Sequence, residues 1–249
     1  MAPNETTIYA ALLIAASVIA MILVFFVISL LQQHKRNIQL HKEKIQAEIA
    51  TLEKERKRMA SDLHDEVGPL LSAVKMNINS LDSQEPGDKA IIDKVSVYID
   101  EMLAKVREVS NDLMPSSLAR KGLYAAVEDL SGRISQSSTI TVNASCEGPE
   151  ELAKEKQVHV FRIIQEVIHN SIKHSSASII NIRLRQLPRM LTLDIHDNGK
   201  GFDYKKIMAE SDGLGLKNIL SRVELLGGVM YLDAEPGKGV NYSIEIPKK

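Results

Sequence analysis

The sequence predicts an α+β chain with three parts: a single membrane-spanning helix, a helical hairpin that pairs with a second copy into a four-helix bundle, and a carboxyl-terminal two-layer α/β sandwich. Three observations point there. Ile8 to Leu31 contains no charged residue. From Ile38 to Leu113 apolar residues recur at heptad spacing. Beyond Gly122, helical periodicity alternates with strands in which every second residue is apolar.

Composition narrows the classes. The 249 residues suit one or two small domains, and 44% hydrophobic with 25% charged residues belongs to a folded chain. Lys and Arg number 31 against 32 Asp and Glu, so no electrostatic bias toward nucleic acid exists and direct nucleic-acid binding is not expected. Cys146 is the only cysteine, which excludes an intrachain disulfide and a CxxC zinc site.

As a helix, Ile8 to Leu31 spans about 36 Å, enough to cross a bilayer. A cleaved signal peptide has a shorter apolar core and a basic start, whereas Glu5 precedes this run and no small-residue cleavage site follows it. The run therefore reads as a retained anchor. Lys35, Arg36, Lys42 and Lys44 follow it, so the positive-inside rule leaves residues 1–7 outside and the rest in the cytoplasm, single-pass in the inner membrane. Seven external residues are too few for an external domain.

Residues 32–58 read as a coiled-coil linker, with Ile38, Ile45, Leu52 and Met59 seven residues apart. A solitary solvated helix is the alternative, but a persistent apolar stripe needs a surface to bury it. The stripe continues through Leu63, Val67, Leu70, Val74, Ile78 and Leu81, and the two four-residue steps from Met59 to Leu63 to Val67 are a stutter that changes the winding. Asp82 to Gly87 is turn-rich. Ile92, Val95, Ile99, Met102, Val106, Val109 and Leu113 form a second stripe, closed by Pro115. One such hairpin, residues 59–121, leaves its stripe half exposed; two copies complete a bundle and make the chain a homodimer.

Residues 122–249 change character. Helices are expected over about Leu123 to Gln136, Lys154 to His174 and Lys217 to Leu226, and strands at Met190 to His196 and Val240 to Ile246. In the last strand Val240, Tyr242, Ile244 and Ile246 face one way and Asn241, Ser243 and Glu245 the other, so one sheet face is wet. Antiparallel strands with helices on the opposite face give the two-layer sandwich.

Within FRIIQEVIHNSIKHS, Phe161, Ile164 and Ile172 supply an apolar side, while Glu166, Asn170, Lys173 and His174 share another by helical spacing. Such a stripe can hold Mg2+ and the phosphates it bridges, or be an ordinary solvated face. The strand ending at Asp197 runs into Asn198-Gly199-Lys200-Gly201-Phe202. The glycines allow a tight turn and close backbone approach to a ligand, and an Asp at a strand end can accept from an exocyclic amine such as that of adenine. Gly213-Leu214-Gly215-Leu216 precedes a helix, where free N–H groups and the positive end of the dipole suit phosphate. A lone GxG would be a mere turn; three elements in this order are specific.

Together these segments resemble the N, G1 and G2 boxes of the Bergerat-type ATP-binding domain shared by gyrases and sensor histidine kinases, over roughly Leu123 to Pro247. The resemblance implies that Asn170 ligates Mg2+, that Asp197 reads the adenine amine, and that Lys173, His174, Gly199, Gly201, Gly213, Leu214, Gly215 and Leu216 line the ATP site, under a lid between Phe202 and Gly213. Val240, after Gly237-Lys238-Gly239, departs from the pattern: the family often has a hydroxyl residue there, and valine cannot donate.

Asp62-Leu63-His64-Asp65-Glu66-Val67-Gly68 resembles the phosphoacceptor motif of the nitrate/nitrite-sensor type of histidine kinase, and Glu55-Arg56-Lys57-Arg58 and Leu113-Met114-Pro115 fit that subfamily. Leu63 lies in the bundle seam, which sets His64 on the solvent flank, and Asp65 can accept the imidazole N–H and hold one tautomer. Without an ATP site the same residue would read as an ordinary exposed histidine. Glu166 joins His64 and Asp65 as a candidate catalytic residue. Pro69 stands where the subfamily commonly has glutamine; it predicts a kink beside Gly68 and removes an amide that would position a water for dephosphorylating a partner.

The resemblance implies a membrane-bound homodimeric kinase that moves the γ-phosphoryl group of ATP to His64 and then to an aspartate of a cytoplasmic response regulator, its stimulus entering through the bilayer, a membrane sensory partner or the amino terminus. An ATPase that does conformational work leaves the HDE motif unexplained. A catalytically silent nucleotide-binding membrane scaffold is the alternative from another class.

Overall fold

The computed structural model describes residues 3–81, 85–203 and 214–248. The chain divides into two compact units, Met1–Glu53 and Lys54–Lys249. Helix α1 (Pro3–Asp62) contains the apolar run, whose side chains Leu13, Phe25 and Leu31 are exposed. It begins the one helix among the described residues long and apolar enough to cross a membrane.

At Leu63–Val67 the helix opens into a π turn before α2 (Gly68–Asn79), and the Gly68 N–H donates to the Leu63 carbonyl. Proline explains the wider turn. Pro69 has no N–H to give Asp65, and its ring would strike that carbonyl in an α-helix. The π turn also suits the stutter, because a helix with more residues per turn keeps positions four apart on one side. Leu63 and Val67 are accordingly half-buried together.

Helix α3 (Pro86–Leu113) packs back on α2. Residues 82–84 of the expected turn lie outside the described residues. Ile99 is buried, Lys75 pairs with Asp100 at 2.5 Å, Ser96 Oγ donates to Asn79 Oδ1 at 2.6 Å, and Ser110 Oγ reaches the Ala60 carbonyl at 3.1 Å. The other flank remains open, with Leu70 65% and Met102 46% exposed and Val74 and Val109 beside them.

After α3 the chain joins the sandwich at once. Pro115 and Leu118 are buried, the latter on α4 (Ser116–Lys121) in the same core as α5 (Leu123–Ser137). The sheet has the order β1 (Thr141–Glu147), β2 (Ile179–Gln186), β3 (Met190–Asp197), β5 (Val240–Pro247), β4 (Val229–Ala234). Helix α6 (Lys154–Asn170) and α7 (Leu214–Leu225) complete the layer over it. Strand β5 buries Val240, Tyr242, Ile244 and Ile246 and exposes Asn241 and Glu245.

One expectation is corrected. The sheet is mixed, not antiparallel, because β1 pairs with β2 in parallel. Helix α6 lies between them in the chain, and a crossover through a helix returns the next strand in the same direction.

Candidate active site

Helix α6 is fixed by its apolar side, with Val160, Phe161, Ile164, Val167 and Ile168 buried. That leaves Arg162, Glu166 and Asn170, four residues apart, along another side. Arg162 is 3% exposed and donates to the last carbonyls of α3, Asp112 at 3.1 Å and Leu113 at 2.5 Å, supplying a cation where a helix end needs donors. Glu166 and Asn170 are half-buried, and Asn170 Nδ2 approaches Glu166 Oε1 at 3.5 Å.

After Asn170 the helix widens again, into a π turn over Ser171–Ser175. Lys173 and His174 are exposed on this turn, which departs from the continuous α-helical stripe expected from their spacing. Ser171 faces inward, and its Oγ donates to Asp197 Oδ2 at 2.8 Å.

Asp197 ends β3 and is 2% exposed. Its Oδ1 accepts the Gly199 N–H at 2.9 Å. Asn198 ties the same loop to the start of β2, its Oδ1 accepting from the N–H groups of Ser178 and Ile179, both at 2.9 Å. Gly201 adopts φ +59°, and a side chain there would strike the Glu235 carbonyl; the Gly237 N–H meanwhile donates to the Lys200 carbonyl at 2.6 Å. The turn between β4 and β5 therefore closes against the loop after β3, as only a glycine at 201 permits.

The third segment meets the first. At the start of α7, a methyl group on Gly215 would lie 2.5 Å from Glu166 Oε1 and 2.9 Å from Asn170 Nδ2. Leu214 opens this helix and Leu216 is buried in the core. Gly213 and the expected lid, residues 204–213, lie outside the described residues. Between the segments, burial pushes the Tyr242 phenol above its ordinary range, with the Asp197 and Glu166 carboxylates raising it further. Ser171 and Tyr242 join the sequence-derived set; a hydroxyl directly after Asn170 was the available signal for the first.

His64 sits apart, exposed on the Leu63–Val67 π turn. Asp65 Oδ2 accepts from Ser61 Oγ at 2.9 Å, and among the described residues no hydrogen bond joins Asp65 to His64 or His64 to the α6–β3–α7 cluster.

The cluster fits a nucleotide. A carboxylate has about four acceptor sites, and Asp197 uses two, which leaves capacity for an amine. Gly215 brings the first turn of α7 against Glu166 and Asn170, and the N–H groups of a helix's first turn suit phosphate oxygens. Among the described residues no group of three His, Cys, Asp or Glu converges. Mg2+ can be held by one protein oxygen together with phosphates and waters, and the Asn170 carboxamide is an oxygen donor of that kind.

Family comparison decides the larger class. Residues 55–118 match the family described as histidine kinase, and residues 155–249 match the histidine kinase-, DNA gyrase B- and HSP90-like ATPase family. The chain carries a histidine kinase family domain followed by an ATPase domain of that second family.

Similar proteins include the sensor histidine kinase LiaS of Bacillus subtilis, 29% identical over 206 residues, covering 81% of this chain and 56% of that protein. The oxygen sensor histidine kinase NreB of Staphylococcus carnosus is 27% identical over 219 residues, covering 86% of this chain and 63% of NreB. The chain thus spans less than two thirds of the length of either relative. A solved histidine kinase domain from the blue-light activated kinase of Erythrobacter litoralis EL346 aligns with a TM-score of 0.46 at 16% identity, over 78% of this chain and 96% of that one. Against the family pattern, the two departures, Pro69 and Val240, fall in the first turn of α2, directly after the π turn, and opposite Asp197.

Proposed function

We propose that this chain is a membrane-anchored, homodimeric sensor histidine kinase of a two-component system. One observation carries the reading: a single chain joins a solvent-exposed histidine on a helical hairpin to a buried carboxylate, a carboxamide and a glycine that seats a helix N-terminus against that carboxamide.

In this reading Asp197 receives the adenine amine, Gly199 and Gly201 shape the loop that holds Asp197, and the backbone at Gly213 to Leu216 takes the phosphates. Asn170 keeps its amide N–H toward Glu166, which leaves its oxygen for Mg2+. When bound, Mg2+ supplies charge neutralisation on the phosphates. Lys173 and His174, exposed beside them, add cationic or donor groups. A ring nitrogen of His64 then forms the new N–P bond as the bond from the γ-phosphorus to the bridging oxygen breaks, leaving ADP. Positioning and charge neutralisation dominate such a transfer. The phosphoryl group next passes to an aspartate of a cytoplasmic response regulator.

The open flank at Leu70, Val74, Met102 and Val109 supports pairing of residues 59–121 with a second copy. The exposed apolar run in α1 supports a membrane span at residues 8–31. Lys35, Arg36, Lys42 and Lys44 support an inward-facing carboxyl side, with residues 32–58 as the linker and 122–249 as the catalytic domain.

The test uses the full chain in detergent or nanodiscs with γ-labelled ATP and Mg2+. Acid-labile, base-stable label is expected, absent from His64→Gln although that variant still binds ATP. Undiminished label in His64→Gln would sink the assignment.

A further inference from the structure

A carboxylate withdrawn from water needs donors. Asp197 has none from its strand neighbours: Ile180 on β2 and Val240 on β5 stand opposite it in register, and both are buried and apolar. The loop supplies one donor, the Gly199 N–H on Oδ1 at 2.9 Å. The other comes from a different element, the Ser171 hydroxyl on Oδ2 at 2.8 Å.

Ser171 is well placed to hold that bond. It is 3% exposed and begins the π turn, its N–H donates back to the Val167 and Ile168 carbonyls, and its own carbonyl accepts from Ser175 Oγ at 2.7 Å. A hydroxyl has a single proton, so this one is committed to Asp197. Both partners of the carboxylate are donors, and the acceptor sites left over can be satisfied only by a further donor. A base with an exocyclic amine meets that demand. A base with a carbonyl in the same place sets acceptor against acceptor, a repulsion that discriminates strongly when both groups are desolvated.

We propose that Ser171 is a positioning residue for base selection: its hydroxyl, delivered from the end of α6, replaces the one missing at Val240 and locks Asp197 so that the site prefers a purine bearing an amine. The inference rests on the reading of Asp197 as the adenine contact and adds a second residue to it. Without Ser171, Oδ2 loses a buried hydrogen bond and the carboxylate is free to turn.

The experiment measures equilibrium binding of ATP and of inosine triphosphate, which has a carbonyl in place of the amine, to the full chain in nanodiscs. The readout is the ratio of the two dissociation constants. The parent should favour ATP by at least about tenfold, and Ser171→Ala should reduce that ratio by about tenfold, the usual scale of one buried hydrogen bond. Ser171→Thr should keep the ratio, and Ser171→Ala with Val240→Thr should restore it by returning a hydroxyl from the other side. Ser171→Cys, a weak donor of similar size, covers the case in which alanine costs the fold; its ratio should also fall. A ratio unchanged in Ser171→Ala or Ser171→Cys, even with both affinities lowered together, would overturn the proposal alone. A parent that binds both triphosphates equally, or neither, would overturn the Asp197 reading and the proposal with it, visibly before any substitution is made.

Discussion

Gly215 rests directly on Asn170: a methyl group at position 215 would lie 2.9 Å from the Asn170 amide nitrogen and 3.0 Å from its oxygen. The first turn of α7, with its unpaired N–H groups, is thereby seated on the residue proposed to hold the metal.

Gly215→Ala is expected to weaken ATP binding by about fivefold or more, since a clash of this kind typically costs about 1–3 kcal/mol. Alanine is the better helix former, so the helix itself is not weakened. Titration of the variant with ATP checks this, and an affinity within a factor of two of the parent would mean that Glu166 and Asn170 step aside freely.

Asn170→Asp and Asp197→Asn should fail differently. The first adds charge beside Glu166 and should alter the Mg2+ dependence of ATP binding. The second turns an acceptor into a donor facing the Gly199 N–H and the Ser171 hydroxyl and should weaken ATP itself by about ten- to a hundredfold. Binding isotherms with and without Mg2+ separate them; parental behaviour in both would remove the assigned roles.

Pro69→Ala restores an N–H that can reach the Asp65 carbonyl, so the π turn should relax toward α-helix. Autophosphorylation should change more than ATP affinity. Insertions and deletions between Leu52 and Met59 should modulate the same rate with helical phase. Equal rates across that series, with no effect of Pro69→Ala, would make the π turn static architecture.

Burial pushes the Cys146 thiol up to about 11 from an ordinary 9.0, with Glu128 and Glu150 adding to it. The folded chain keeps a proton that the unfolded chain releases, so this contribution to stability is whole below pH 9.0 and disappears as pH rises through about 11. Urea midpoints across that window should fall more steeply for the parent than for Cys146→Ser, and native alkylation should be slow near neutral pH. Parallel midpoint curves would remove the thiol as the cause.

Local pattern carried much of this architecture. The alternation of Val240 to Ile246 and the apolar side of Phe161 to Ile168 decide which faces are buried, and each is complete within a few residues. Contacts made at long separation left no such trace. The parallel partner of β1 depends on where α6 returns the chain. Arg162 binds α3 carbonyls 49 and 50 positions away, and Ser171 meets Asp197 26 positions on. The π turns were hidden for another reason: spacing arguments assume a constant 3.6 residues per turn, and Pro69 and the segment after Asn170 break that assumption where the chemistry is.

The turn at Leu63–Val67 holds one residue more than the α-helical turn it replaces. Deleting a single residue there would close it to an α turn and leave α2 facing nearly as before, because the wide turn absorbs the extra residue, with helix intact on both sides. The stretch bearing the nucleophile is also the stretch whose length the chain can change by one without breaking a helix. Chain length at this point is therefore a setting for the local winding around His64, independent of which side chains surround it and of how α2 faces.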